Sequence, residues 1–332
     1  MKILIIRLSA IGDLVFTSTI LPYLTVHYPN VHITWLVKKQ FATMVSGFEG
    51  VNKVISFDSN NLFSSITLIR NEQYDLALDL QGLLKTSLLL LITRAYRKIG
   101  LGSSEGGQWL IREVITKKSQ CYNKDSDLFG HEYRNLGWYL TGQEKRQDQV
   151  NYTFSKEIIN KRKEFIEKLP HREYIVICPF TTRMQKTWPW ENWKRLVLLL
   201  ASRTEYTIVV LGSEFDKFPI PHELKDSSKL IVACGFGSIE WSFAVIQGAK
   251  AVVSVDTGLG HFASLMNKPT VLLFGSTRPY LKTSNDSSRI LFKNLPCSPC
   301  HRRPICDGVY HCMRMNSPQE VVENLISLKI IK

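Results

Sequence analysis

Val253-Ser254-Val255-Asp256-Thr257-Gly258-Leu259-Gly260-His261 carries an apolar strand pattern through a carboxylate and small residues into a helical pattern. A second stretch, Thr181-Thr182-Arg183-Met184-Gln185-Lys186-Thr187-Trp188-Pro189, follows the apolar run Tyr174–Cys178 and leads into a helix pattern from Trp190. Hydroxyls, a lysine and small residues at such turns suit a bound phosphate or sugar, because free backbone N–H groups and the positive helix end converge there. A third turn, Ser9-Ala10-Ile11-Gly12-Asp13, follows the first apolar run and adds a carboxylate. Strand–turn–helix units repeated in this way read as βαβ units and a mostly parallel sheet.

The same alternation covers most of the chain. Strands are predicted at Ile3–Leu8, His32–Val37, Val51–Phe57, Leu76–Leu80 and Lys98–Leu101, with helices at Leu14–His27, Phe41–Gly47 and Leu83–Tyr96 between them. Residues 102–130 lose the rhythm and are rich in Gly, Ser and Lys, as in a long functional loop or irregular insert. Helices return at 131–140 and 156–169. After Leu169-Pro170-His171-Arg172 the alternation restarts with Tyr174–Cys178, and it ends in a helix at Pro318–Leu328 with Ser317 as N-cap and Pro318 at the first position. The chain of 332 residues exceeds one typical core. Two α/β domains are therefore expected, 1–168 and 169–332, as Rossmann-like halves facing across a cleft.

With 44% hydrophobic and 21% charged residues, the composition is that of a soluble globular protein. The net charge of +13 is spread along the chain, and either forms a solvated basic surface or attracts anionic partners such as lipid headgroups or acidic sugars. Arg7 interrupts the apolar N-terminal run, so no secretory leader is read there. The longest apolar segment, around Leu88–Ile92, is far short of the roughly 20 residues that span a bilayer. A cytoplasmic protein, docking peripherally on the inner face of the membrane, is expected. A nicotinamide enzyme is disfavoured because the first turn lacks G-x-G-x-x-G. No helix-turn-helix or aromatic RNA-binding surface is present, so no nucleic-acid partner is expected.

Four motifs in order carry a resemblance: Ile6-Arg7-Leu8-Ser9-Ala10-Ile11-Gly12-Asp13, Asp79-Leu80-Gln81-Gly82-Leu83-Leu84-Lys85, Thr181-Thr182 with Lys186-Thr187-Trp188-Pro189, and Ser254 to His261. Together they resemble glycosyltransferase family 9, the ADP-heptose:lipopolysaccharide heptosyltransferases, with an opening motif most like the heptosyltransferase I type. The resemblance implies two Rossmann-like domains in the glycosyltransferase-B arrangement, the acceptor on the first and ADP-heptose on the second. It implies inverting transfer of heptose to the Kdo-lipid A inner core, or a related anionic glycolipid, in lipopolysaccharide biosynthesis, with no cofactor or metal required for catalysis. A protein acceptor, as in autotransporter heptosyltransferases, is the alternative.

The chemistry asks for a base within about 3 Å of the attacking hydroxyl. Asp13 matches the family's base, although by position it equally suits a helix cap. Thr181, Thr182 and Lys186 match the groups that hold the donor diphosphate, where Lys186 could neutralise the departing charge. Asp256 matches the aspartate that binds heptose hydroxyls, and Thr257 and Gly258 the phosphate contacts, with the glycines allowing close approach to a ligand. His261 is either a donor contact or a satisfied structural histidine. Asp216, rather than Glu214, suits the ribose, and Gly237 lies where the family places its adenine pocket. Trp188 and Trp190 are expected as packing anchors. Lys85, His131 and Arg134 are acceptor-binding candidates, with Lys38 and Lys39 nearby, each otherwise a solvated surface group. Ser59-Asn60-Asn61-Leu62-Phe63 lacks the strongly basic loop of some relatives, which leaves the acceptor open.

Cys297, Cys300, Cys306 and Cys312 are spaced C-x2-C-x5-C-x5-C. Four thiolates at such spacing could complete a tetrahedral zinc or iron site of structural kind; disulfides or free thiols are the other reading.

Overall fold

The computed structural model describes residues 1–58, 60–101, 113–115, 126–143, 149–284, 286–301 and 303–332. The chain forms two compact units, Met1–Thr153 and Phe154–Lys332.

The first unit holds a six-stranded sheet in the order β3-β2-β1-β4-β5-β6. Its strands are β1 (Lys2–Ile6), β2 (His32–Lys38), β3 (Val51–Phe57), β4 (Tyr74–Asp79), β5 (Ala95–Leu101) and β6 (Glu113–Ile115), all parallel. The second holds β7 (Tyr174–Cys178), β8 (Thr207–Val210), β9 (Leu230–Val232), β10 (Ala251–Val255), β11 (Thr270–Phe274) and β12 (Ser288–Phe292), again parallel, in the order β12-β11-β10-β7-β8-β9. Within each unit the first strand is central and the order reverses beside it, between β1 and β4 and between β7 and β10. This is the doubly wound arrangement, whose ligands bind outside the carboxyl ends of the strands at the reversal. Parallel strands covered on both faces need continuous apolar runs. β7, β8, β10 and β11 are accordingly buried along their whole length.

The division falls earlier than the expected 168/169 junction. Tyr152 closes the first unit, its hydroxyl donating to the Met44 carbonyl at 2.8 Å, and Thr153 N donates to Gly47 O at 2.8 Å. The helix Lys156–Glu167 belongs instead to the second unit. The Phe165 ring lies 6.0 Å from that of Phe236 and 5.1 Å from that of Trp241. Packing, which Pro170 does not reveal, thus sets the boundary.

The single helix expected over Leu14–His27 is also divided, into Ile11–Thr17, a 3₁₀ turn at Ser18–Ile20, and Leu21–His27. Pro22 has no N–H to give the Ser18 carbonyl, so a continuous ladder cannot form there. The helix from Leu84 stops at Ile92, because Ala95 already pairs with Tyr74 of β4. Most of the 102–130 insert lies outside the described residues, as does Ser59.

Candidate active site

In the second unit, the turns after β7 and β10 meet at the reversal point. Lys186 stands in a short 3₁₀ turn, Met184–Lys186, and Asp256 directly follows β10. Lys186 Nζ lies 2.5 Å from Asp256 Oδ2, while His261 Nε2 lies 2.9 Å from Oδ1. Thr277 Oγ1 also donates to Oδ2. Asp256 is only 6% exposed. Burial alone would push its carboxyl up, but the His261 hydrogen bond and the charges of His261 and Lys186 outweigh it and hold the group well below the ordinary carboxylate range. A buried carboxylate is tolerable only when so partnered.

His261 is itself braced. Its Nδ1 lies 3.3 Å from Tyr280 Oη, and that hydroxyl donates to Ser264 Oγ at 3.1 Å. His261 is therefore a satisfied buried histidine that orients Asp256. Thr277 and Tyr280 were not legible in advance, because they follow β11 without a motif of their own. The loop that carries Lys186 is anchored as well. Trp188 is fully buried, meets Trp193 edge-on at 4.8 Å, and donates its ring N–H to Asn316 O at 2.9 Å. Trp190 packs against Phe180 and Phe218. Both tryptophans are packing anchors, as expected.

The remaining donor candidates follow the carboxyl ends of strands of the same sheet. Thr181 is partly buried, with its Oγ1 accepting from Arg183 N at 3.3 Å, and Thr182 is exposed. Thr257 and Gly258 begin the helix Gly258–Leu265. Asp216, after β8, accepts from Ser213 N at 2.7 Å and Ser213 Oγ at 2.8 Å, so its Oδ2 closes its own turn. Gly237, after β9, lies under Trp241: a Cβ there would come within 2.7 Å of the indole. Close approach at Gly260 likewise serves the protein and not a ligand, since a Cβ would meet Ser254 Oγ at 2.5 Å.

The first unit presents a second charged pair at its own reversal point. Arg7 follows β1, and Asp13 stands in the first turn of the helix Ile11–Thr17. Arg7 Nη2 lies 2.8 Å from Asp13 Oδ2, and Arg7 Nη1 donates to Leu80 O, beyond β4, at 2.5 Å. Ala10 N also donates to Asp13 Oδ2, at 3.2 Å, so Asp13 does cap its helix. Both contacts use one oxygen. Oδ1 has no partner among the described residues, and the side chain is 49% exposed. The capping role leaves the other oxygen able to take a proton. Leu8 N donates to Gln81 Oε1 at 2.7 Å, tying the two turns together. Asp79 is fully buried and accepts from Gln81 N, Gly82 N and Ser87 Oγ at 3.0, 3.1 and 3.0 Å, so it shapes the turn. Neither the orienting part of Arg7 nor the turn-building part of Asp79 shows in spacing alone.

Among the acceptor candidates, Lys85 is exposed, its Nζ 4.3 Å from the centre of the Phe57 ring. His131 opens the helix His131–Thr141. That helix start lies against the Asp13 helix, since Thr19 Oγ1 donates to Gly130 O at 3.3 Å and the Phe16 and Phe129 rings are 4.8 Å apart. Arg134 departs from expectation: it is buried, with Nε donating to Phe129 O at 3.0 Å, and it supports its own loop. Lys38 and Lys39 are exposed at the end of β2.

Cys297, Cys300, Cys306 and Cys312 are free thiols. Among the described residues, no three His, Cys, Asp or Glu side chains are placed to hold a metal, so the zinc or iron reading has no geometric support. The segment braces the donor-side loops instead. Ser298 Oγ donates to Gly275 O, His301 N to Ser276 O at 2.5 Å, and Gln185 Nε2 to His301 O at 3.1 Å. No helix among the described residues is long and apolar enough to cross a membrane.

Two doubly wound units, each with a charged pair at its strand-order reversal, place the chain in the Rossmann-like α/β class. The chain belongs to glycosyltransferase family 9 (heptosyltransferase), whose sequence pattern matches residues 63–311. It is 29% identical over 308 residues to lipopolysaccharide heptosyltransferase 1 of Salmonella typhimurium, covering 85% of this chain and 90% of that one. Its fold matches that of the E. coli ADP-heptose lps heptosyltransferase II at a TM-score of 0.76 and 21% identity, over 99% of this chain and 98% of that one. It also matches E. coli heptosyltransferase WaaC with ADP-2-deoxy-2-fluoro heptose at a TM-score of 0.69 and 24% identity, over 97% and 99% of the two chains.

Proposed function

We propose that this protein transfers heptose from ADP-heptose to the Kdo-lipid A inner core, or a closely related anionic glycolipid, with inversion at the anomeric carbon. The observation that carries this is the Lys186–Asp256 pair at the reversal point of the second unit, held by His261 and Thr277. A diphosphate there would meet a cation, the hydroxyls of Thr181 and Thr182, and the first N–H groups of the helix that starts at Gly258. Asp256, kept ionised, accepts hydrogen bonds from the sugar hydroxyls. The exposed Phe236 ring beside Gly237 offers a stacking face for adenine.

In the transfer, an acceptor hydroxyl oxygen forms the new bond to the anomeric carbon. The bond from that carbon to the phosphate oxygen breaks, and its electron pair leaves on ADP. Asp13 takes the hydroxyl proton on its unpartnered Oδ1, with Arg7 orienting the carboxylate. Lys186 offsets the charge that grows on the leaving phosphate. Lys85 and His131 supply positive or hydrogen-bonding contacts to the acidic acceptor. The acceptor is membrane-borne, so the enzyme works in peripheral contact with the membrane.

Asp13→Asn tests the base. Its kcat should fall about 10²–10⁴-fold, while ADP binding by calorimetry stays near that of the unaltered protein. Lys186→Ala should weaken ADP binding as well as slow transfer. Loss of ADP binding in the Asp13 variant would remove Asp13 from the role of base.

A further inference from the structure

The helix Leu84–Ile92 presents leucines on two faces. Leu89 and Leu90 enter the core of the first unit beside β3 and β4. Leu84, Leu88 and Leu91 do not: each leaves between 46% and 49% of its surface exposed. Their spacing of four and then three residues places them in one row along the helix. A core requires only one apolar face, so this second row is unexplained by folding.

Its surroundings extend the row. Leu68 is exposed on the helix Leu62–Arg70, which touches the leucine helix. Tyr96, 81% exposed, shares a face of β5 with Lys98, because alternate residues of a strand point the same way. Lys98 Nζ donates to Leu91 O at 2.6 Å, which puts that face beside the end of the leucine row. Leu84, Leu88 and Leu91 thus form an exposed apolar row, with Leu68 on the touching helix and Tyr96 on the strand face beside its end.

The charges around it have one sign. From Leu80 to Leu101 there are Lys85, Arg94, Arg97 and Lys98 and no Asp or Glu, and the Leu62–Arg70 helix adds Arg70 alone. Arg97 is committed to Glu113. Lys85, Arg94, Lys98 and Arg70 have no carboxylate partner among the described residues. Of the carboxylates at the start of β4, Glu72 just before it is engaged by Lys53, and Asp75 within it accepts from the Lys2 backbone N–H at 2.6 Å. An apolar row ringed by cations matches an anionic lipid surface, which offers acyl chains to the leucines and phosphates to the Lys and Arg.

We propose that the exposed Leu84–Leu88–Leu91 row, with Tyr96, Lys85, Arg94 and Lys98, docks the first unit on an anionic membrane surface. This deepens the function proposed above and rests on it only for the membrane-borne nature of the acceptor. A second copy of the chain is the competing occupant, and the cationic rim disfavours it because two such faces would repel.

Flotation of the full-length protein with vesicles tests the assignment. The unaltered protein should float with phosphatidylglycerol-containing vesicles and not with pure phosphatidylcholine. Leu88→Glu/Leu91→Glu, both at exposed positions, should reduce flotation at least about tenfold, as should Tyr96→Glu in a separate protein. Both variants should keep the circular dichroism of the parent and its transfer rate on a deacylated, water-soluble acceptor. No flotation of the parent, equal flotation with neutral vesicles, or flotation of both variants at the parent level would overturn the docking surface. So would a parent dimer in lipid-free buffer that becomes monomeric in the Leu88 and Leu91 variant. Loss of transfer by the parent on the soluble acceptor, with flotation intact, would count against the proposed function and leave the docking surface standing.

Discussion

Asp256 concentrates the electrostatics of the second unit. One carboxylate answers a lysine, a histidine and a threonine while almost wholly removed from water. Breaking such a cluster by removing one charge costs about 3–5 kcal/mol, chiefly because a partner charge is left unpaired. Asp256→Asn should lose stability on that scale at neutral pH, as read by urea unfolding. The sign of the pH dependence follows from the depressed carboxyl. With the folded group below its ordinary value of 3.8, the unfolded chain takes the proton first. The contribution is complete above that value and is lost as the pH falls toward the folded pKa. The gap between the parent and Asp256→Asn should therefore narrow steadily below about pH 4; a gap that stays constant down to pH 2.5 would contradict the pairing. At this scale the sequence is half informative. Lys186, Asp256 and Asp13 stand in strand-end motifs, so their positions could be read. Tyr280 and Thr277 could not, because only the folded chain brings the stretch after β11 back over Asp256. Arg134 misled for the converse reason: an arginine near a helix start looks available until burial commits it to Phe129 O.

At the scale of elements, the glycines illustrate how close packing constrains the site. Gly260 lets the helix Gly258–Leu265 press against β10 and β11, with Ser254 Oγ at 2.5 Å and Leu272 Cδ2 at 2.7 Å from where a Cβ would stand. Gly260→Ala should cost about 1–3 kcal/mol through overpacking. Because His261 is the next residue on that helix, the shift should also weaken ADP binding in calorimetry. Full stability together with unchanged binding would show that the helix is not pinned by this contact. Periodicity found the long, uniformly apolar elements, β7 and β10 among them, because their burial leaves no room for polar residues. It missed β12, whose Ser288 and Arg289 mask a short edge strand, and the helix Leu62–Arg70. For that helix a signal existed: Asn61 caps it, accepting from Ser64 N at 3.2 Å.

For the whole molecule, two sheets with the same strand order place their charged turns at corresponding points. The alternation of strand and helix announced that repetition even though the two halves share no sequence repeat. The limit between the units was less legible. Pro170 marks a turn, whereas the boundary follows from Phe165 packing on Phe236 and Trp241, and aromatic contacts between distant positions leave no local trace. The cysteine segment was legible as a cluster but not as a brace, since its backbone contacts with Gly275, Ser276 and Gln185 depend on the fold. The proposed transfer is read in a covalent product. The most direct measurement is mass spectrometry of heptose-free Kdo-lipid A after incubation with the purified protein and ADP-heptose. A gain of one heptose with release of ADP, abolished by Asp13→Asn, is expected. An unchanged acceptor mass, with ADP-heptose bound and intact, would contradict it.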